Sequence, residues 1–337
     1  MVEPAKLTAS ERIVRFLSKT PVHLALLAVA FVWLVPTIGL AITSVRIPTD
    51  ITGSSWWSSL LEWRYTINNY ETVLSRGNMD TSFVNSLVIT IPSTLLPLAI
   101  AALAAYAFSW IRFPFRDTIF LLIVALMVVP IQMALVPLLR LFRDLGIANN
   151  FGGIWLAHTA FGLPLGIFLL RNFFITLPRD LIEAARVDGA SNMKIFLRVV
   201  LPLSVPALAS FAIFQFLWVW NDLLMALVFV QNSDLWPMTI RINQLQSQFG
   251  IEWHLLSAGA FLLMAVPLVV FFALQRYFVQ GLLAGSVRVQ VLSAVTAEFG
   301  TGEVGLRSTH RPLVRGRLSR GQTPQGFANA CLCLGDL

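Results

Sequence analysis

Six long apolar runs constrain this chain more than any other feature: Pro21 to Val45, Val84 to Ile111, Thr118 to Leu139, Leu145 to Leu170, Val199 to Val230 and Leu255 to Gln275. Each can cross a hydrocarbon core that takes roughly 20 residues of helix. Asp222 is the single charged residue inside any of them. A bilayer offers no water to unpaired backbone amides, and the runs lack the alternation of barrel strands, so helices are the only spanning structure available. The predicted fold is an all-α integral membrane protein with six transmembrane helices.

Basic residues set the orientation, because loops rich in Lys and Arg stay cytoplasmic. Counted by alternate connecting segments, 18 belong with the two termini and the segments after the second and fourth runs, against 6 in the others. Both termini are therefore expected in the cytoplasm. The net charge of +7 is accounted for by this topology and gives no reason to expect a nucleic-acid partner. Membrane lipid is the expected surrounding. The first run is too long for a signal peptide and no small-residue cleavage site follows it, so it reads as a retained span.

Several chemistries are excluded by what is missing. His23, His158, His254 and His310 are too scattered for a zinc-protease pattern, and a lone Cys331-x-Cys333 makes neither a metal site nor a disulfide framework. Lys6, Lys19 and Lys194 are the only lysines. None follows a glycine, so there is no phosphate-binding loop for ATP. No catalytic residue, metal ligand or cofactor site is expected in this chain.

One charged, helix-forming segment lies between the fourth and fifth runs. Pro178 can open a helix, Asp180 and Glu183 suit its first turns, and Gly189 suits the left-handed residue that closes one, which predicts a helix from Arg179 to about Asp188. Leu181, Ile182 and Ala185 form an apolar stripe on it. Arg179 and Arg186 are spaced to pair with Glu183. Ser191 can cap a second short helix through Leu197, before Leu201 and Pro202 turn the chain into the fifth run. The product is a helical elbow at the membrane surface.

Glu183-Ala184-Ala185, Gly189 after three more residues, Val199 after nine more and then Leu201-Pro202 resemble the EAA loop of bacterial ABC-importer permeases, with Val199 in place of the usual isoleucine. Further matching strings are Asn69-Tyr70, Asn85-Ser86-Leu87, Ala105-Tyr106-Ala107-Phe108, Arg112-Phe113-Pro114, Trp220-Asn221-Asp222, Pro267 and Gly281 to Val287. Over residues 20 to 287 the chain resembles the MalG-type permease subunits of carbohydrate importers. The strings His158 to Pro164 and Phe214 to Trp220 resemble the alpha-glucoside branch.

The resemblance implies a machine of several chains. A homologous MalF-like permease, a MalK-like ATPase dimer carrying ATP and Mg, and an extracytoplasmic sugar-binding protein are the implied partners in the bacterial cytoplasmic membrane, with a sugar as substrate. Glu183, Ala184, Ala185, Asp188, Gly189, Leu201 and Pro202 are the implied ATPase-coupling residues. Residues 1–20 then form a cytoplasmic tail, 21–83 the first span and outer loop, and 84–287 the permease core with its EAA loop at 171–202. The family pattern ends near Val287, so residues 288–337, glycine-rich and basic, read as an atypical disordered extension.

Trp220, Asn221 and Asp222 are candidates for the substrate pathway or gate, since a carboxylate at mid-membrane costs roughly 2.5–3.5 kcal/mol and needs a polar partner or water. A helix-packing hydrogen bond explains Asp222 equally well. Trp218, Trp220, Phe214 and Phe216 read as packing or interface aromatics before sugar-stacking ones, and His158 as a neutral, hydrogen-bonded helix histidine. Gly162 and Pro164 predict a kinked or broken fourth span. Trp56, Trp57 and Trp63 suit the membrane interface, and the polar stretch from Gln231 to Trp253 suits a docked protein. The rival from another class is an ion-coupled secondary carrier in which Asp222 binds the coupling ion; an intramembrane enzyme lacks any convincing nucleophile, base or metal cluster.

Overall fold

The computed structural model describes residues 9–51, 53–75, 78–248 and 252–299, with side chains described within 20–245 and 252–276. The chain divides into two units, residues 1–288 and 289–337, and every candidate site residue lies in the first. Residues 300–337 of the extension and residues 1–8 of the N-terminal tail lie outside the described residues.

The main helices are α1 (Ala9–Val45), α2 (Met79–Trp110), α3 (Arg116–Ala125), α4 (Ile131–Asp144), α5 (Phe151–Phe174), α6 (Arg179–Val187), α7 (Asn192–Ile195), α8 (Val205–Trp220), α9 (Leu224–Phe229), α10 (Met238–Gln248) and α11 (Trp253–Phe299). Among the described residues there is no strand, only an isolated bridge between Arg46 and Tyr65. Among the described residues, four helical stretches are long and apolar enough to cross a membrane: Thr20–Val45, Met79–Trp110, Phe151–Phe174 and Trp253–Arg276.

The other two expected spans are bent. Arg116–Val128 meets Ile131–Asp144 at 103°, and Asn192–Leu203 meets Val205–Trp220 at 77°. In the first, Val129 precedes Pro130 and is extended, with φ −69° and ψ 120°, because the proline ring disfavours helical backbone in the residue before it. In the second, a wide π-helical turn spans Phe196–Val200. Pro202 and Pro206 each remove an amide donor beside the bend. The fourth span, expected to be kinked or broken, is not broken: it runs from Phe151 to Phe174 despite Gly162 and Pro164.

Those small residues serve packing. A side chain at Gly162 would bring its Cβ to 2.6 Å from the Gln215 amide oxygen, and one at Gly166 would bring it to 2.5 Å from the Phe211 ring. Gly162 and Gly166 thus let α8 lie close against α5, the small-xxx-small device of membrane helices. Gln215 uses the contact, donating to the carbonyls of Ser93 at 3.1 Å and His158 at 3.4 Å, so one amide ties α2, α5 and α8 together. By contrast, α1 exposes most of its apolar surface, including Phe31, Val32 and Trp33.

Candidate functional site

Two interruptions of the helices hold the candidate residues, one at each end of the α2–α5–α8 core. At the elbow end, α6 forms where expected and closes by the predicted device. Gly189 has φ +76°, its amide bonds to Arg186 O at 3.0 Å, and the Ala190 amide reaches back to Ala185 O at 3.0 Å. This is a Schellman closure, which satisfies the last carbonyls locally and needs a residue tolerant of positive φ. Ser191 Oγ then accepts from the Lys194 amide at 3.4 Å, opening α7.

One face of the elbow is sunk in the core. Ile182, Ile195 and Phe196 are buried against Ala105, Tyr106, Phe108, Leu170 and Phe174. The other face is open: Glu183, Ala184, Asp188, Gly189 and Pro202 are exposed, while Ala185 and Leu201 are half-buried. Arg186 does not pair with Glu183. It donates from Nη2 to the Trp110 carbonyl at 3.0 Å. The elbow therefore presents a carboxylate and a patch of small residues on a rigidly seated helix.

At the far end, the fifth span stops at Trp220 and restarts at Leu224. Asp222 lies at the restart, accepting the Met225 amide on Oδ1 at 3.1 Å. Its other oxygen lies 3.8 Å from His158 Nε2, with both side chains at least nine-tenths buried. A cavity of about 10 Å³ lies among Ser86, Thr90, His158, Asp222 and Thr239, about the space one water occupies. His158 Nδ1 has no hydrogen-bond partner among the described residues, where a hydrogen-bonded ring was expected.

Trp220 is buried, at the wall of the small cavity. It is 2 % exposed, donates to Leu263 O at 2.8 Å and stacks on Phe216. Asn221 is exposed and bonds back to Leu217 O at 2.8 Å. Trp218 instead lines an apolar groove of about 490 Å³ with Phe161, Pro164 and residues of the bent third span.

Polar residues from distant segments fasten this end. Asn85 donates to Asp234 O at 2.7 Å and Trp236 O at 3.2 Å, and Ser86 accepts the Met238 amide at 2.9 Å. Asn149, with φ +59°, accepts the amides of Gln231 and Asn232, both at 2.8 Å. Arg241 bonds Ser82 and Ser233 O; burial lowers its pKa, opposed by Asp234.

Residues 97–284 match the family of binding-protein-dependent transport system inner membrane components, a stretch that contains the elbow and the Asp222 break. The chain belongs to that family. This permease is 52% identical over 284 residues to the osmoprotective compounds uptake permease protein GgtD of Synechocystis sp., a match covering 83% of this chain and 95% of GgtD. It is 54% identical over 231 residues to the alpha-glucoside transport system permease protein AglG of Rhizobium meliloti, covering 67% of this chain and 61% of AglG. A chain from the crystal structure of a bacterial ABC transporter for alginate import has the same fold, with a TM-score of 0.65, 23% identity and coverage of 81% of this chain and 99% of that one. The protein is thus a permease component of an ABC importer.

Sequence reasoning gave Arg186 and Gly162 other roles in this permease and missed Gln215 and Gly166. The glycine spacing was a readable signal, since small residues four apart in a span mark a close helix contact. Nothing local distinguishes Arg186, whose partner lies 76 residues away.

Proposed function

We propose that this permease forms half of the translocation pathway of an ATP-driven sugar importer and couples to a separate ATPase through the elbow. The observation that carries this reading is the division of α6 into a sunken face and an open one. Ile182 is 1 % exposed, while Glu183, Ala184, Asp188 and Gly189 face outward. Exposed small residues beside a carboxylate suit a surface over which another protein closes. ATP and Mg belong in the ATPase dimer, and closure of that dimer moves the elbow as a lever that reorients the spans between inward-open and outward-open states.

The charge asymmetry of 18 against 6 supports an orientation with the elbow and both termini in the cytoplasm. The far end then faces the outside, where residues 231–253 are available to an extracytoplasmic sugar-binding protein. A second, homologous permease completes the pathway. The identity to AglG supports an alpha-glucoside or oligosaccharide as substrate, and the name of GgtD widens the candidates to osmoprotective compounds.

Co-purification tests the reading. The tagged chain is expected to bring down an ATPase and a second permease, and vesicles holding the complex with its binding protein should take up radiolabelled maltose, sucrose or trehalose only when ATP is supplied. An isolated chain that transports in response to an ion gradient would overturn it in favour of a carrier.

A further inference from the structure

The elbow touches the core through both of its limbs, and the contacts converge on the last turn of α2. From α6, Arg186 Nη2 donates to Trp110 O at 3.0 Å. Past α7, the Phe196 ring packs on Tyr106 with centroids 5.3 Å apart. Ile182 and Ile195, both almost fully buried, belong to the same apolar cluster as Ala105 and Phe108.

Trp110 is the final residue of α2. A helix leaves its last four carbonyls without intrahelical donors, and the C-terminal end carries partial negative charge, so a guanidinium there gains both a hydrogen bond and a favourable field. Lysine could supply the charge but only a single-point donor on a flexible stem.

We propose that Arg186 is a positioning residue for transport. It locks the elbow to the carbonyl end of α2, so that the two move as one body and the stroke enters the core through the second span. The apolar contacts hold the elbow against the core, and Arg186 adds a directional one. The charged hydrogen bond fixes one point of α6 to one backbone atom of α2. This inference rests on the coupling reading above and adds a residue and a route to it.

The test uses the complete transporter purified with its ATPase, spin-labelled at Val187 on α6 and Leu103 on α2, both exposed. In the otherwise unchanged complex, the label-to-label distance should be the same with and without ATP and vanadate. In Arg186→Met the ATPase should remain bound and active, while trapping shifts or broadens the distance. Uptake per ATP should fall about fivefold or more, the lower end of a typical coupling free energy. Arg186→Lys should recover part of both. An unchanged distance and an unchanged uptake ratio in Arg186→Met would overturn the lock. Loss of the ATPase from Arg186→Met would also overturn it, by assigning the arginine to the docking surface. A chain that binds no ATPase even without these substitutions would remove the coupling reading itself, which is a different result from either.

Discussion

The elbow and the Asp222 break are both interruptions of apolar helix, yet they deal with the freed polar groups in opposite ways. At the elbow, the Gly189 and Ala190 amides return to carbonyls within α6, so closure is complete within a few residues. Glu183 and Asp188 are left facing outward, while Arg186 reaches the end of α2. At the break, Asp222 is used as a cap, Thr239 donates to the Asp222 carbonyl at 3.2 Å, and Asn85 and Ser86 hold the segment that follows. Polar residues there are consumed by the fold. The contrast teaches that a charged residue in a membrane protein marks a partner surface only when its own chain has no use for it.

The sharpest way to break the comparison is sidedness. Cysteines introduced at Asn192 on the elbow and at Ser233 beyond the break should react with a membrane-impermeant reagent from opposite sides, Asn192→Cys only from the cytoplasm and Ser233→Cys only from outside. Labelling of both from one face would place the two interruptions on the same side of the membrane.

A large effect on transport is expected at Gly189. Nothing lies within 4 Å of a Cβ built there, while φ is +76°, so the penalty is one of backbone and not of packing. Left-handed backbone costs a branched residue about 1–2 kcal/mol, and 1.4 kcal/mol is about tenfold in an equilibrium. Gly189→Val should insert and fold in near-normal amount but lose about tenfold or more of its uptake, with Gly189→Asn much closer to normal. Equal uptake by all three would show that the exit geometry is not needed.

Stability should separate the two sites in the other direction. Asp222→Leu removes a helix cap worth about 1 kcal/mol and leaves the buried His158 facing an apolar group. It should lower the melting temperature in detergent, and Asp222→Asn, which keeps an acceptor, should lower it less. Glu183→Gln on the open elbow should leave the melting temperature unchanged. A larger drop for Glu183→Gln than for Asp222→Leu would invert the assignment of consumed and available groups.

The smallest effect is expected from ending the chain after Val287. Insertion, assembly and uptake should stay near normal, because no span or family string is removed. Failure of the shortened chain to assemble would give the extension a structural role.

Legibility followed the range of the interactions involved. The Pro178 entry, the Gly189 exit and the Ser191 cap could all be read, because each depends on residues within one or two turns. The bend at Val129 was present in the sequence as a Pro130 signal but was masked by a run long enough to span. The uninterrupted α5 shows the reverse case, in which Gly162 and Pro164 carry a break signal and the helix continues through both, with Gly162 used as a close-packing seat. His158 was read as a neutral, hydrogen-bonded helix histidine, but not as the residue that faces Asp222.

The sequence by itself determined the fold class, the elbow and its closing glycine, since hydrophobic length and turn chemistry are local and the bilayer forbids most alternatives. Tertiary structure decided that Asp222 faces His158 of the fourth span. It also decided that Arg186 reaches the end of α2. Buried polar groups take whatever donor or acceptor the fold brings near, and here those partners lie far away in the chain, as with Ser86 and Met238 at a separation of 152 residues.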